Sequence, residues 1–229
     1  YRPLPFDTGL SEGRNRMVAE VETEFFLLLD DDQVMAGGID PLASALDRDP
    51  DLGGISLSWW DRGSPFCDAG WVRRYDGFIY RGLARGGRPL ERASDGVVGF
   101  DFVPNSTLFR TRVFADLRWD PEYKIGAEHL DFYLRAREQG IWRFAAHEGA
   151  FVWHVPLRGP RYRVFRDREA IARARFKEKQ HHRGILIGAS WVRRRWTGRA
   201  IDWLVRLGVP GGWILGAEAL AKRAVGGRP

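Results

Sequence analysis

The chain has 229 residues, 44% hydrophobic and 29% charged, with a formal charge of +6 from 36 basic residues of which only four are lysine. This is length for one domain, or one domain with an appendage, and an ordinary composition for a globular protein. A single cysteine, Cys67, excludes disulfides within the chain and gives no zinc-site spacing, and no apolar run reaches the length of a bilayer span. Arginine favours phosphate and carboxylate partners, so charge alone leaves nucleotides, anionic lipid and nucleic acid open.

The chain opens on Tyr1 rather than Met, in a Pro-rich stretch, and reaches its first strand early, which reads as a fragment or trimmed piece. Ser11 and Glu12 precede a helical pattern to about Val21, with Met17, Val18 and Val21 as its apolar stripe. Phe25 to Leu29 is an unbroken apolar run, expected to be a strand buried on both faces. It ends in Asp30-Asp31-Asp32. Three adjacent carboxylates at the end of a core strand repel one another unless neutralised, and a hard divalent cation is the simplest neutraliser. A solvated acidic turn or a helix cap is the alternative.

Asp40-Pro41 starts a helix ended by Asp49-Pro50, and Gly54 to Trp60 is a second strand, a β–α–β succession that favours a parallel sheet. Residues 61–95 read as irregular apart from a strand near 77–80. Val97 to Val103 and Thr107 to Phe109 are strand-like, Ala127 to Gln139 is a helix closed by Gly140, and Phe151 to Trp153 is a short strand delivering His154. A charged helix spans Asp167 to His182. From Gly184 onward, Trp191, Trp196, Trp203 and Trp213 alternate with Arg193 to Arg195, Arg199 and Arg206. The pattern fits helices lying in a membrane interface as well as an amphipathic pair packed on the core.

Four segments form a pattern: Gly9 to Asn15 before a helix, Leu28 to Asp32 ending a strand, Gly126 to Leu134 opening a helix, and Val152 to His154 ending another strand. Together they resemble the GT-A-fold, nucleotide-sugar-dependent glycosyltransferases of the large, family-2-like inverting class. The Phe6 to Asn15 run, the aspartate turn, Asp95 to Val98 and the His129-Leu130-Asp131-Phe132 helix start are most similar to the ganglioside-type β-1,4-N-acetylgalactosaminyltransferases. The resemblance covers roughly residues 5 to 185 and implies an α/β fold: a Rossmann-like mixed sheet flanked by helices, with two N-terminal βα units missing.

On this basis residues 1–185 are expected to be an N-terminally incomplete catalytic domain and 186–229 a Trp/Arg-rich amphipathic helical tail. The resemblance implies transfer from a UDP-sugar, an N-acetylhexosamine among the candidates, to a glycan or lipid-linked acceptor, with Mn2+ or Mg2+ as cofactor. It assigns Asp32 and His154 to the metal, and Asp30, Asp31, Arg14 and Asn15 to the donor. Plain alternatives are an ordinary loop histidine for His154 and helix anchoring for Arg14 and Asn15. Relatives carry a Glu-Asp pair where this chain has Glu128-His129, and ganglioside-type enzymes also carry His there. His129 and Glu128 are therefore the first candidates for the general base, with Asp131 third, its alternative being pairing with an Arg. Asn105, Trp60 and Arg158 are acceptor or lid candidates, with core packing the commoner fate of Trp60 and a solvated basic loop the plain role of Arg158.

The expected setting is cytoplasmic and peripheral at a membrane surface, with no nucleic acid among the partners. A non-catalytic glycan-binding or scaffold remnant of the same fold is the rival, favoured by the missing strands and opposed by the aspartates and His154. A nucleic-acid binder rests on charge alone.

Overall fold

A computed structural model describes residues 1–61, 63–85, 96–155, 168–192 and 195–226. In chain order the elements are α1 (Leu10–Val18), β1 (Phe25–Leu28), β2 (Gln33–Ala36), α2 (Asp40–Arg48), β3 (Leu52–Asp61), β4 (Ser64–Phe66), β5 (Trp71–Tyr75), β6 (Phe78–Gly82), β7 (Val97–Phe100), β8 (Thr107–Arg110), α3 (Val113–Asp116), α4 (Glu128–Gln139), β9 (Arg143–His154), α5 (Glu169–Lys179), β10 (Ile185–Ile187), α6 (Trp196–Arg206) and α7 (Gly211–Gly226). The α/β architecture expected from the sequence, a mixed sheet flanked by helices, is the one observed.

The large sheet runs β1-β8-β3-β9-β2, with β4 on β3 and β7 on β9. β3 and β9 are parallel, whereas β8 lies between β1 and β3 and is antiparallel to both. The β–α–β succession therefore does not place β1 beside β3. β1 ends the path, and only Leu28 of its four residues is buried, which corrects the expectation of a strand buried on both faces. An apolar run reports burial on average and does not say how many strands lie beyond it.

Alternation along the strands divides the core. Leu108, Ala145 and Val152 face α2, where Leu42 and Leu46 are fully enclosed. Phe109, Phe144 and Ala146 face the other way, onto Phe114, Trp119 and Phe132. Trp119 stacks on Phe132 with ring centroids 5.0 Å apart, and Phe26 joins them through Phe109 and Phe114. This aromatic layer holds α4, and with it the helix start at Glu128, against the sheet.

Residues 61–95 are not irregular throughout. β5 and β6 form a hairpin turned by Asp76 and Gly77, both with positive φ (48° and 73°) as short hairpins of this twist require. β10 adds to β6 in parallel, so the boundary expected near residue 185 falls at a strand of this three-stranded sheet. α6 and α7 cover it through Ile201, Val205 and Ile214. Among the described residues no helix is long and apolar enough to cross a membrane.

Candidate functional site

The aspartate turn is held from both sides. Gln33 closes it, its N–H donating to the Asp30 carbonyl (3.1 Å) and its Oε1 accepting from the Asp30 N–H (3.1 Å). Register then brings in β9: Gln33 pairs with His154, and the Val155 N–H donates to the Asp32 carbonyl (2.8 Å). The antiparallel pairing of β2 with β9 thus sets Asp32 against a histidine 122 residues away, with His154 Nε2 3.2 Å from Asp32 Oδ2. Trp59 of β3 stacks on the His154 ring (5.1 Å) and is itself fixed by an Nε1–H bond to Ser106 Oγ (2.6 Å), whose hydroxyl donates to the Leu57 carbonyl (3.0 Å).

Asp30 faces α1 and the loop before β8. Its Oδ1 accepts from Arg14 Nη2 (3.1 Å) and its Oδ2 from Asn105 Nδ2 (3.2 Å). Arg14, only 3% exposed, reaches on to Glu128, with Nη1 3.7 Å from Oε1. One guanidinium therefore ties the aspartate turn to the start of α4. α1 is placed for this by Gly9 (φ 87°): a Cβ there would lie 2.8 Å from the Lys124 backbone, and the next residue, Leu10, donates its N–H to the Lys124 carbonyl (2.8 Å). In a protein of net charge +6, Asp30 and Glu128 meet on Arg14, and Asp31 and Asp32 follow Asp30 directly in the turn, a locally acidic site.

Several expected roles change with the geometry. Arg14, expected at the donor, is buried with Asp30 and Glu128 as its charged partners. Asn15 is committed to Trp119, donating to its carbonyl (2.7 Å) and accepting from its N–H (3.1 Å), which makes it an anchor of the loop before α4. Trp60 points to the face opposite Trp59 and packs on Phe151 and Trp153, away from His154. Arg158 lies outside the described residues. Asp31 is exposed at the tip of the turn.

The three base candidates differ in their partners, although Glu128 (6% exposed) and Asp131 (0%) are both buried and His129 is half-buried. His129 Nε2 lies 2.6 Å from the Val103 carbonyl, so that nitrogen carries the proton and donates. Its Nδ1 is buried with no partner among the described residues, and Phe102 and Tyr133 meet the ring at near right angles, 4.9 and 5.0 Å away. Burial, with the nearby Arg14 and Arg81 charges, pulls its pKa down to about 3. A weakly basic imidazole whose Nε2 is committed to a carbonyl is a poor acceptor for a substrate proton, which counts against His129 as the base. Asp131 is enclosed, its Oδ2 taken by Arg135 (2.7 Å) and its Oδ1 by Gln180 (2.8 Å), the structural alternative foreseen for it. Glu128 stands at the head of α4, 3.7 Å from Arg14, an ion pair longer than a hydrogen bond.

Ser106 and Gln33 carry no sequence signal of their own, and Trp59 stands out only as one of the pair Trp59-Trp60, which is open to stacking on a sugar face. Strand alternation offered a signal for Trp59, since one of two adjacent tryptophans must face the His154 side. Next to the site, a cavity of about 380 Å3 is lined by Phe66, Arg81, Ser190, Arg195 and Thr197 among others. Phe66 meets Trp59 edge-on (5.8 Å), and Arg81 lies over the Phe102 ring (4.0 Å) that abuts His129.

Asp32 and His154 suit a divalent cation on donor chemistry. Asp32 Oδ2 and His154 Nε2, 3.2 Å apart, are the two atoms that would hold such an ion. Among the described residues no three His, Cys, Asp or Glu side chains converge as a metal cluster.

No family model and no curated protein matches the chain. Among solved structures it is similar to GalNAc-T7 with UDP, GalNAc and Mn2+ (15% identity, TM-score 0.49, covering 65% of this chain and 31% of that one). It is also similar to S. aureus TarS 1–349 (16% identity, TM-score 0.43, 65% and 41%) and to S. aureus TarS (15%, 0.42, 75% and 28%). The chain thus spans between about a quarter and two fifths of the structures it matches. Likenesses at this level carry no argument about the site, whose reading rests on its own residues.

Proposed function

We propose that this chain is a metal-dependent, inverting glycosyltransferase of GT-A type that moves a sugar, N-acetylhexosamine being the leading candidate, from a UDP-sugar to a glycan or lipid-linked glycan. The observation that carries this reading is the convergence of four distant segments on one acidic centre: Arg14 joins Asp30 to Glu128 while Asp32 meets His154. A structural explanation of the aspartates alone does not account for the histidine delivered to them.

Asp32 and His154 would hold the cation, Mn2+ in preference to Mg2+ because imidazole nitrogen is a poor ligand for the harder ion. Bound there, it supplies Lewis-acid stabilisation of the departing diphosphate. Asp30, fixed by Arg14 and Asn105, presents its carboxylate to the nucleoside ribose or to water around the cation, with Asp31 in support. Trp59 backs the His154 ring and holds its plane. Glu128 serves as general base, taking the acceptor hydroxyl proton on the face opposite the leaving group, as inversion requires. The cavity beside Phe66 and Arg81 is the acceptor side, and peripheral contact of the tail with a membrane would bring a lipid-linked acceptor within reach.

Mass-spectrometric detection of transfer across a panel of UDP-sugars and glycan acceptors, with Glu128→Gln beside the wild type, tests this. The expected result is Mn2+-dependent product that falls by about 10²- to 10⁴-fold in the variant with UDP binding retained. Wild-type-level transfer by Glu128→Gln contradicts the assignment of the base. Absence of UDP binding in the presence of Mn2+ contradicts the enzyme.

A further inference from the structure

α6 and α7 have core-facing sides that are already satisfied. Ile201 and Val205 of α6 and Ile214 of α7 pack with Phe78, Tyr80 and Leu186 of the three-stranded sheet. The acidic residue of α6, Asp202, also points inward, where it accepts hydrogen bonds from the Tyr80 hydroxyl (2.5 Å) and from the Leu83 and Ala189 N–H groups (both 3.1 Å). With its apolar stripe and its acid both turned to the core, α6 would ordinarily carry a polar outer face.

It does not. The outer stripe of α6 is Trp196, Arg199, Ala200, Trp203 and Arg206, continued by the C-cap residue Leu207, all exposed. Trp196 and Trp203 are 69% and 61% exposed and lie seven residues apart, two turns along one face. α7 repeats the spacing with Trp213 (77%) and Leu220 (68%). Across residues 195–221 the acids are Asp202, buried, and Glu218, half-buried, so no fully exposed carboxylate offsets Arg195, Arg199 and Arg206. Isolated exposed apolar side chains are ordinary. Exposed tryptophans interleaved with arginines on α6, continued by exposed Trp213 and Leu220 on α7, are the composition of an interfacial surface, where indole rings sit at headgroup depth and arginines reach phosphates.

We infer that the outward faces of α6 and α7 form a docking surface for an anionic phospholipid bilayer. Charge selects this occupant: the surface is cationic and aromatic, which suits acidic headgroups above an acyl boundary. Arg195 and Thr197, at the start of α6, also line the cavity assigned to the acceptor, so docking through Trp196 sets that cavity beside the bilayer. The inference deepens the peripheral contact in the proposed function and does not depend on transfer activity.

The test is flotation with vesicles of phosphatidylcholine alone or mixed with phosphatidylglycerol, at low and high salt. Wild-type protein is expected to partition onto the mixed vesicles and to lose binding as salt rises. Trp196→Ala/Trp203→Ala should bind at least about tenfold less, and Trp203→Phe should retain most binding. Arg199→Gln/Arg206→Gln should lose about fivefold per charge on anionic vesicles only. Circular dichroism and UDP titration on each variant separate a lost surface from a lost fold or donor site. Equal binding to neutral and anionic vesicles, or variants that bind like the wild type, overturns the inference. So does a wild-type dimer in sedimentation that Trp203→Ala dissolves without any vesicle binding, because a second copy would then be the occupant.

Discussion

His129 provides the sharpest consequence of the geometry, because its protonation state decides both a stability profile and a catalytic role. In the native protein the ring donates through Nε2 to the Val103 carbonyl and buries a bare Nδ1, which holds its pKa near 3. In the unfolded chain the same ring titrates near 6.5. Between these values the unfolded state binds a proton that the native state refuses, so the stabilisation is intact above pH 6.5 and is lost as pH falls towards 3. The slope is up to about 1.4 kcal/mol per pH unit, or about 2 to 3 kcal/mol by pH 4.5. Urea unfolding from pH 7.5 to 4.5 reads this directly. His129→Gln keeps a donor near the Nε2 position and has nothing to titrate. It is expected to lie within about 1 kcal/mol of the wild type at pH 7.5 and to show a profile flatter by that slope. Parallel wild-type and variant profiles would refute the reasoning, because His129 would then titrate alike in both states.

Arg14→Met strips the cation from two carboxylates at a buried site and should cost about 3 kcal/mol in urea unfolding at neutral pH, the low end for a buried pair because Asp30 keeps 31% of its side chain exposed. Pairing it with Glu128→Gln should recover part of that loss, and an additive double variant would disprove the coupling. Cys67 is fully enclosed and burial pushes its thiol up to about 12, so it should resist a disulfide reagent at pH 8 in the native protein and react at once in denaturant. Rapid reaction of the folded chain would show that its pocket opens.

The sequence was most informative where a short segment carries its own geometry. The aspartate turn, the Glu128 helix with its Gly140 stop, and the strand end at His154 are local patterns, and their convergence follows once β2 pairs with β9. β2 itself was not legible, because Gln33 to Ala36 has no distinctive alternation and forms by pairing along β9. The β5–β6 hairpin was obscured by the Gly/Arg-rich composition of its surroundings, although Asp76-Gly77 is a turn signal of known meaning. The exposure of β1 is hidden in its sequence because four or five apolar residues look alike at an edge and in the middle. At the site, residue type suggested that His129 was a base at neutral pH. Burial against Phe102 and Tyr133, a tertiary fact, removes that property. Which of Trp59 and Trp60 faces the site depends on register, which spacing within the strand does not encode.

The account stands most directly on the acidic centre, and calorimetric titration of UDP with and without Mn2+ addresses it, on the wild type and on Asp32→Ala and His154→Ala. The expected result is wild-type binding that requires Mn2+ and is lost or weakened at least about tenfold in both variants, with unfolding midpoints unchanged. Mn2+-independent binding, or binding that survives both substitutions, would contradict it.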